Sequence, residues 1–358
     1  MRTNASASRP SPAALPVVGQ LIGGVLVEAD VAGIGAPAPR TSSAGAFRGY
    51  EHGAAGLRRP APSARIRRMS SPDAAAAATY RVTSMIAPLQ RVLVRCPVTS
   101  GDWAGAGWRT PDPDLLARQH EDFCELLADL GPQVEVADAL DGQVDAVYVH
   151  DPMVMTGRGG IALQMAKPAR AREPRHAAEE LERLGIPLLG VLSGDAYADG
   201  GDRYWIDEHT MAIGLGYRTN RAGADALARL VEPEGVTVET YDMPHDQGPA
   251  HVLHLQSFLS GVAEGLCVVY EPLAPVRLLQ DLHARAIEWI AIDHESYAAM
   301  GCNVLAVRPG VVVMVDAAPG VRRELERRGV EVHAYDGSEL SLKGDGGPTC
   351  LTQPLLRG

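Results

Sequence analysis

The chain has 358 residues, of which 46% are hydrophobic and 22% are charged, an ordinary composition for a protein with a buried core. Its formal net charge of −11 disfavours a nucleic-acid partner, because binding to phosphates requires neutralisation by Lys and Arg. No apolar run approaches the ~20 residues that a membrane-spanning helix needs, so no membrane partner is expected. The five cysteines lack CxxC or metal-ligand spacing, which favours free thiols in a reducing, cytoplasmic compartment.

Residues 1–85 differ in composition from the rest of the chain. They contain tracts rich in Ser, Pro, Ala and Gly, and few large apolar residues recur with any period. This composition predicts a disordered extension, or an upstream start codon with the true start at Met69 or Met85. A targeting segment at residues 13–27 is an alternative that Pro16 makes less favourable. We therefore expect one catalytic domain over residues 86–358.

From residue 89 onward, short apolar strands alternate with amphipathic helices. The strands are predicted at residues 91–95, 144–149, 187–192, 236–240, 266–269, 304–307, 311–315 and 330–333. The helices are predicted at residues 114–130, 170–184, 222–230 and 321–328. This order indicates an α/β protein and is compatible with several copies of a strand–strand–helix–strand unit.

Two pairs of acidic residues stand near the predicted strand ends. Asp145 and Asp151 bracket the strand at 144–149, in which alternate residues share one face, so both carboxylates are expected to point the same way. Asp199 and Asp202 flank two glycines, which permit a tight turn or a close backbone approach to a ligand. Taken singly, a solvated strand face and an ordinary turn are the preferred explanations of the two pairs.

A histidine and a cysteine complete a possible catalytic set. His254 lies in an apolar stretch, where a buried core histidine is the more usual occurrence. Cys350 follows a Gly-Gly-Pro-Thr turn, which can present a thiol in a rigid bend, although most free cysteines are small buried hydrophobes. Together with Asp199, these residues supply the three groups of a Cys–His–acid site. The other acids remain free to hold a cation.

Six segments resemble, in chain order, those of the dimethylarginine dimethylaminohydrolases. This family belongs to the guanidine-modifying superfamily that also contains the arginine deiminases and the amidinotransferases. The matching segments are residues 91–97, 145–151, 199–202, 214–220, 254–257 and 345–350. The resemblance covers roughly residues 90–358. It implies the five-bladed α/β propeller of the superfamily, the pentein fold, with pseudo-fivefold arrangement and the site in its central hole.

The resemblance also implies roles for individual residues. Cys350 matches the nucleophile, His254 the general acid/base, and Asp199 the carboxylate that orients the histidine. The other matching residues bind substrate: Asp151 and Asp345 the guanidinium, Asp145 the α-amino group, Arg170 and Arg218 the α-carboxylate. The loop at residues 99–112 matches a mobile lid.

One residue departs from the pattern of the family. His150 stands where these hydrolases usually have a glutamate, just before the substrate-binding aspartate. One negative contact to the guanidinium is therefore missing or replaced. This leaves the substrate open among arginine, a methylated arginine and another guanidino acid.

These observations predict a cysteine hydrolase that converts a guanidino substrate to citrulline and an amine through a covalent thiouronium intermediate. No metal or organic cofactor is expected, and an oligomeric state is compatible with the sequence. The alternatives are an amidinotransferase or an arginine deiminase-type enzyme on another guanidino substrate. A thiol protease would use the same three residue types, but the additional acids and arginines suit a guanidino amino acid better. A non-enzymatic propeller-fold binding protein would not need the three catalytic groups.

Overall fold

Strands and helices alternate through the computed structural model, which describes residues 66–68 and 80–358. The described part contains sixteen strands. They are β1 (Ile66–Arg68), β2 (Leu89–Arg95), β3 (Gln133–Ala137), β4 (Met153–Met155), β5 (Gly160–Ala162), β6 (Leu188–Val191), β7 (Arg203–Asp207), β8 (Thr210–Leu215), β9 (Thr237–Asp242), β10 (Leu259–Ala263), β11 (Leu266–Val269), β12 (Glu288–Ala291), β13 (Leu305–Arg308), β14 (Val311–Val315), β15 (Glu331–Tyr335) and β16 (Gln353–Arg357). The predicted mixed α/β class is confirmed.

Six α-helices connect or flank these strands in the described residues. They are α1 (Pro113–Asp129), α2 (Glu173–Arg183), α3 (Arg221–Val231), α4 (Val276–Ala284), α5 (His294–Ala298) and α6 (Pro319–Arg327). None of them is long and apolar enough to cross a bilayer. The four helices predicted from the sequence correspond to α1, α2, α3 and α6.

The strands form five small sheets, and each sheet contains the same unit. An antiparallel hairpin is followed by a helix, and the strand after the helix pairs in parallel with the second hairpin strand. The pairs β4–β5, β7–β8, β10–β11 and β13–β14 are the hairpins, and β6, β9, β12 and β15 are the parallel strands. The repeated strand–strand–helix–strand unit expected from the element order is present.

The fifth unit is assembled from the two ends of the described chain. The last strand, β16, pairs antiparallel with β2, which in turn pairs in parallel with β3 after α1. The short strand β1 extends this sheet by pairing in parallel with β3. The last strand therefore completes the unit that the first long strand begins.

Helix α1 illustrates how local sequence defines an element. Asp112 caps its first turn by accepting hydrogen bonds from the backbone N–H groups of Asp114 and Leu115, at 3.0 and 2.9 Å. Pro113 occupies the first helical position, where no N–H is needed. Gly131, with a φ of 123°, follows its end. The buried face of the helix packs on the sheet that contains β2 and β3.

The predicted strand at residues 144–149 is wrong. Residues Val144–Val147 form a 3₁₀ turn, closed by a hydrogen bond from the backbone N–H of Tyr148 to the carbonyl of Asp145 at 2.9 Å. This segment is buried throughout, so the positions of its apolar residues do not mark one buried face. A short apolar run of this kind does not distinguish a strand from another buried conformation. Asp145 and Asp151 consequently do not share a strand face.

The predicted boundary at residue 85 also requires correction. Val82 is buried in the core, and the backbone of Arg81 exchanges hydrogen bonds with the last strand through Leu355 and Arg357. Residues 80–85 therefore pack with the domain, as does strand β1. Residues 1–65 and 69–79 of the predicted extension lie outside the described residues, and their nature stays a prediction.

Two truncations that differ only in residues 80–84 test the corrected boundary. Deleting residues 1–84 should lower the free energy of unfolding by about 2 kcal/mol relative to deleting residues 1–79, because burial of a valine contributes about 1.5–3 kcal/mol. Urea denaturation of both proteins at one temperature measures the difference. Equal midpoints with equal slopes would contradict the packing of Val82.

Candidate functional site

Loops from all five units line one cavity of about 380 Å³, a volume typical of small-molecule sites. Its walls come from the loop after β2, the segments on either side of β4 and β5, the turns around β7 and β8, the segment before β10, and the loops before β13 and β16. Seven of the eight predicted site residues line this cavity. The eighth, Asp199, lies behind the wall and contacts His254. Residues that are far apart in sequence thus meet here.

Cys350 lies in the turn that precedes β16, and Asn303 holds this turn. The Asn303 side-chain Nδ2 donates to Cys350 Sγ at 3.2 Å, and its Oδ1 accepts from the Thr349 backbone N–H at 3.0 Å. A Cβ atom at Gly347 would lie 2.6 Å from Asn303 Cγ, so the turn requires glycine there. Burial, with the Asp151 charge as the next cause, raises the pKa of the Cys350 thiol to about 12. The thiol of the unliganded protein is therefore protonated near neutral pH.

His254 lies between two carboxylates. Its Nε2 is 3.1 Å from Asp199 Oδ2, and its Nδ1 is 3.8 Å from Asp151 Oδ1. Burial lowers the pKa of His254, but the charges of the surrounding acids outweigh this effect and raise the pKa above its usual value. A Cβ atom at Gly201 would lie 2.3 Å from His254 Nδ1, which explains why the turn needs a glycine. The neighbouring carboxylates thus favour the protonated form of the ring.

The described side chains of Cys350 and His254 line the same cavity without a hydrogen bond between them. A molecule bound in this cavity is therefore accessible to both residues. Such contacts commonly tighten only when substrate is bound.

Asp199 and Asp202 have different environments, although they flank the same glycine pair. Asp199 Oδ2 accepts from Arg218 Nη1 at 3.3 Å as well as from His254. Asp202 accepts from the Thr219 hydroxyl at 2.7 Å and from the Leu255 backbone N–H at 3.1 Å. Burial raises the pKa of Asp202 to about 7. Asp202 therefore fixes the segment after His254, and Asp199 contacts the ring itself.

Asp151 remains charged because Arg170 lies against it. Arg170 Nη1 is 2.5 Å from Asp151 Oδ2, and the other side of the guanidinium binds Glu173 at 2.7 and 2.9 Å. Burial raises the pKa of Asp151, but Arg170 and His254 more than offset it and bring the pKa to about 2. The guanidinium of Arg170 also donates to the carbonyl of Tyr148 at 3.0 Å. These contacts indicate a charge-pairing role for Arg170 and leave few of its N–H donors for a substrate carboxylate.

The loop at residues 99–112 lies across the site and is anchored by Trp108. Trp108 is buried, stacks on Tyr148 with 5.3 Å between ring centroids, and donates from Nε1 to Asp145 Oδ1 at 2.8 Å. Lys167 joins the same carboxylate at 2.5 Å and the carbonyl of Ala106 at 2.6 Å. Asp145 therefore connects the loop to the cavity wall.

Asp345 occupies the mouth of the cavity, and its side chain is 60% exposed. It pairs with Arg109 of the overlying loop at 3.2 Å and has a φ of 58°, in the left-handed region. Asp151 is buried, whereas Asp345 is exposed and pairs with the loop, so the binding of one guanidinium by both acids stays a prediction.

His150 has no charge to offer a ligand. Its Nδ1 donates to the carbonyl of Thr352 at 3.0 Å, and its Nε2 accepts from Gln256 Nε2 at 3.0 Å. Burial, followed by the nearby charge of Arg203, lowers the pKa of His150 to about 3. The histidine that replaces the usual glutamate is therefore a neutral, hydrogen-bonded part of the wall.

The sequence analysis missed four residues of the site. They are Asn303 beside the thiol, Lys167 on Asp145, Glu173 behind Arg170, and Gln256 on His150. Lys167 could have been noticed in the sequence by its rarity, since the chain has only one other lysine. The remaining three are ordinary polar residues in sequence, and only their burial in the fold distinguishes them. No group of His, Cys, Asp and Glu among the described residues has a geometry suited to a metal ion.

Comparison with known proteins identifies relatives of two kinds. The chain is 30% identical over 253 residues to the arginine deiminase of Rhodococcus erythropolis, which covers 61% of each protein. It is 27% identical over 271 residues to the N(G),N(G)-dimethylarginine dimethylaminohydrolase of Streptomyces coelicolor, over 75% of this chain and 98% of the relative. The chain thus spans about three fifths of the arginine deiminases that it matches and nearly all of the dimethylarginine hydrolase.

Solved structures establish the likeness in fold. A Pseudomonas aeruginosa dimethylarginine dimethylaminohydrolase in complex with citrulline superposes with a TM-score of 0.63 at 21% identity, over 76% of this chain and all of that chain. The N-terminal domain of ArgZ, a cyanobacterial arginine dihydrolase, superposes with a TM-score of 0.65 at 16% identity, over 75% and 98% of the two chains. At these identities the likeness concerns the fold alone.

A sequence profile of the arginine deiminase family matches residues 140–274 and 285–357, which together are more than half of the chain. The matched region contains Asp145, His254, Cys350 and the residues around them. The chain therefore belongs to the arginine deiminase family, within the guanidine-modifying superfamily to which the dimethylarginine hydrolases also belong.

Proposed function

We propose that this protein hydrolyses a C–N bond in the guanidinium group of an arginine-like amino acid, with Cys350 as nucleophile and His254 as general acid/base. One observation carries the proposal: an imidazole held between two carboxylates, Asp199 and Asp151, lines the same cavity as a thiol. We further infer that the five units are the five blades of a pseudo-fivefold propeller around this cavity. The proposed fold accounts for the contribution of every unit to the lining.

The charge of Asp151 supports its role as the anchor of the guanidinium. The pKa of this carboxyl is lowered to about 2, so it is an anion at any physiological pH. Hydrogen bonds from a substrate guanidinium to such a carboxylate are charge-assisted and strong. Asp345 would add a second carboxylate once the loop contact with Arg109 rearranges around the substrate.

The raised pKa of Cys350 calls for activation by the substrate. A thiol with a pKa of about 12 holds almost no thiolate at neutral pH. A substrate cation bound at Asp151 would cancel the negative charge that raises this pKa and would itself stabilise the thiolate. Binding and activation are thus one event, which protects the thiol when no substrate is present.

The reaction then proceeds in two halves. As the substrate cation binds, the Cys350 thiol loses its proton to solvent. The thiolate then forms an S–C bond with the guanidinium carbon, and His254 gives its proton to the departing amine as the C–N bond breaks. The thiouronium that remains is attacked by water, whose proton passes to His254. Breakage of the S–C bond releases a ureido product and restores the thiolate. None of these steps needs a metal or an organic cofactor.

Arg218 is the better supported of the two proposed ligands for the substrate α-carboxylate. It lines the cavity, and Asp199 is its one ion-pair partner among the described residues. Arg170 is already bound on both sides by carboxylates. For the α-amino group we propose Asp145, which Trp108 and Lys167 hold at the cavity wall.

The relatives favour arginine or a methylated arginine as substrate. The dimethylarginine hydrolase of S. coelicolor matches along nearly its whole length, whereas the R. erythropolis arginine deiminase is slightly more identical over a smaller share. The five free cysteines fit a reducing, cytoplasmic compartment. The amidinotransferase alternative shares the first half of the reaction and differs only in the acceptor.

Product analysis on separate substrates tests the reaction. Incubation with asymmetric dimethylarginine should give citrulline and dimethylamine, and incubation with arginine should give citrulline and ammonia if arginine is the substrate. Mass spectrometry and an amine assay measure both products. Turnover that requires added glycine or another amine acceptor would instead identify amidino transfer.

Cys350→Ser should reduce turnover to background in this assay, because a hydroxyl is not activated where a thiol is. Cys96→Ser is the matched control, since Cys96 is also partly buried but does not line the cavity. Activity retained in the Cys350 variant would exclude the mechanism.

Asp151→Asn should separate the effect of this carboxylate on the pKa of Cys350 from its role in binding the substrate guanidinium. Removing its charge should lower the pKa of Cys350 in the free protein, because that charge raises it. Turnover should nevertheless fall by about 10²-fold or more, since the guanidinium loses its anchor. The rate of Cys350 alkylation by iodoacetamide against pH, followed by peptide mass spectrometry, measures the pKa. Asp141→Asn, which removes an exposed carboxylate outside the cavity, should change neither quantity.

Arg218→Ala tests the carboxylate subsite. It should lower kcat/KM for the amino-acid substrate by about 10–100-fold more than for its decarboxylated analogue, because a hydrogen bond between charged groups contributes about 1.5–3 kcal/mol. Steady-state kinetics with arginine and agmatine, or with the corresponding methylated pair, give the ratio. Arg221→Ala is the control, because Arg221 donates to the Thr240 hydroxyl at 2.9 Å and does not line the cavity. Equal losses on both substrates would remove this role from Arg218.

A further inference from the structure

A second, much smaller cavity of about 20 Å³ adjoins the large one. His150, Gln256 and Thr349 line both cavities and form the wall between them. A space of this size holds one or two water molecules, because a water needs about 10–15 Å³. The proposed reaction uses none of the groups on the far side of this wall.

Arg203 lines the small cavity and is poorly satisfied. Its side chain is 1% exposed, and its Nε has no hydrogen-bond partner. Nη1 faces the weak acceptor Met85 Sδ at 3.5 Å, and Nη2 lies 3.4 Å from His150 Nε2. That histidine nitrogen already accepts from Gln256. A guanidinium with five N–H donors thus has no strong acceptor.

Arg357 is the second buried cation of this cavity. It is 4% exposed and donates to the backbone carbonyls of Ala87 and Ala306, at 2.6 and 2.8 Å. Within the part of the chain that the structure describes, neither Arg357 nor Arg203 forms an ion pair. The positive charge of Arg203 adds to burial in lowering the pKa of Arg357 to about 9. Both arginines remain protonated at neutral pH, so two like charges face one internal space.

The other buried arginines show how unusual this is. Arg170 pairs with Asp151 and Glu173, Arg218 with Asp199, and Arg95 with Glu180. A buried charge without a counter-charge is strongly unfavourable. The small cavity therefore has the cations of an ion-pair site, an unused N–H donor and a free volume, and no carboxylate among the described residues pairs with either cation.

We propose that a small monovalent anion of the halide class, chloride in the cell, binds in this cavity between Arg203 and Arg357. The volume excludes carboxylate metabolites and phosphate but accommodates one halide ion. The bound ion would neutralise the repulsion between the two guanidinium groups and accept from the unused Arg203 Nε. It lies behind the wall that carries His150 and does not depend on the proposed reaction.

Halide-dependent stability of the full-length protein tests this site. Thermal unfolding is followed in sodium chloride or bromide, with sodium gluconate replacing the halide at constant ionic strength. The Tm should rise with halide by about 2 °C for each tenfold increase above the dissociation constant. A Tm that is the same in halide and gluconate would overturn the proposal.

Two variants distinguish the site from a general salt effect. Arg203→Gln should abolish the halide dependence, whereas Arg322→Gln, which removes an exposed arginine on α6, should retain it. Loss of the dependence in both variants, or in neither, would refute a specific site. Arg357→Gln gives the same comparison if the Arg203 variant does not fold.

Anomalous diffraction from wild-type crystals grown with bromide locates the ion directly and needs no variant. A bromide peak is expected between the two guanidinium groups. Density in the cavity without anomalous signal would mean that only water binds there, and the proposal would fail.

Discussion

The pairing of β16 with β2 is the constraint on which the rest of the structure depends. Four of the five units are contiguous in sequence, but the fifth needs a strand from each end of the described domain. Cys350 stands three residues before β16, so this antiparallel pairing fixes its turn against the loop that carries Asn303. Without the pairing, the contacts of Asn303 would have to hold the turn and its thiol at the cavity by themselves.

A second principle of the structure is the alternation of buried charges. Glu173, Arg170, Asp151 and His254 follow one another from helix α2 to the cavity, and each contacts a neighbour of opposite sign. Burial penalises every one of these charges, and the neighbour offsets the penalty. This arrangement keeps Asp151 anionic and favours the protonated form of His254 in a place where burial alone would favour the neutral forms. The two cations of the small cavity break the alternation, which is why an anion is expected there.

Much of the fold could be predicted from the sequence because amphipathic runs indicate helices and short apolar runs bounded by turn residues indicate strands. The helices at residues 114–130 and 222–230 and the strands at 266–269 and 311–315 agree with the structure to within a residue or two. The failure at 144–149 has a physical cause: a short apolar run that is buried on every side is compatible with more than one backbone conformation, and here it forms a 3₁₀ turn. The three-residue strands β4 and β5 are too short to show a period.

The residue types of the site and their order along the chain could be recognised from the sequence alone, because turns such as Gly-Gly-Asp and Gly-Gly-Pro-Thr-Cys are local features. The tertiary structure alone decided which of these residues meet and what charge each carries. Arg170 is the example: its type suited a substrate carboxylate, yet Asp151 and Glu173 bind it on both sides. Contacts between distant segments and the burial that shifts a pKa arise only when the five units come together, and no local pattern encodes them.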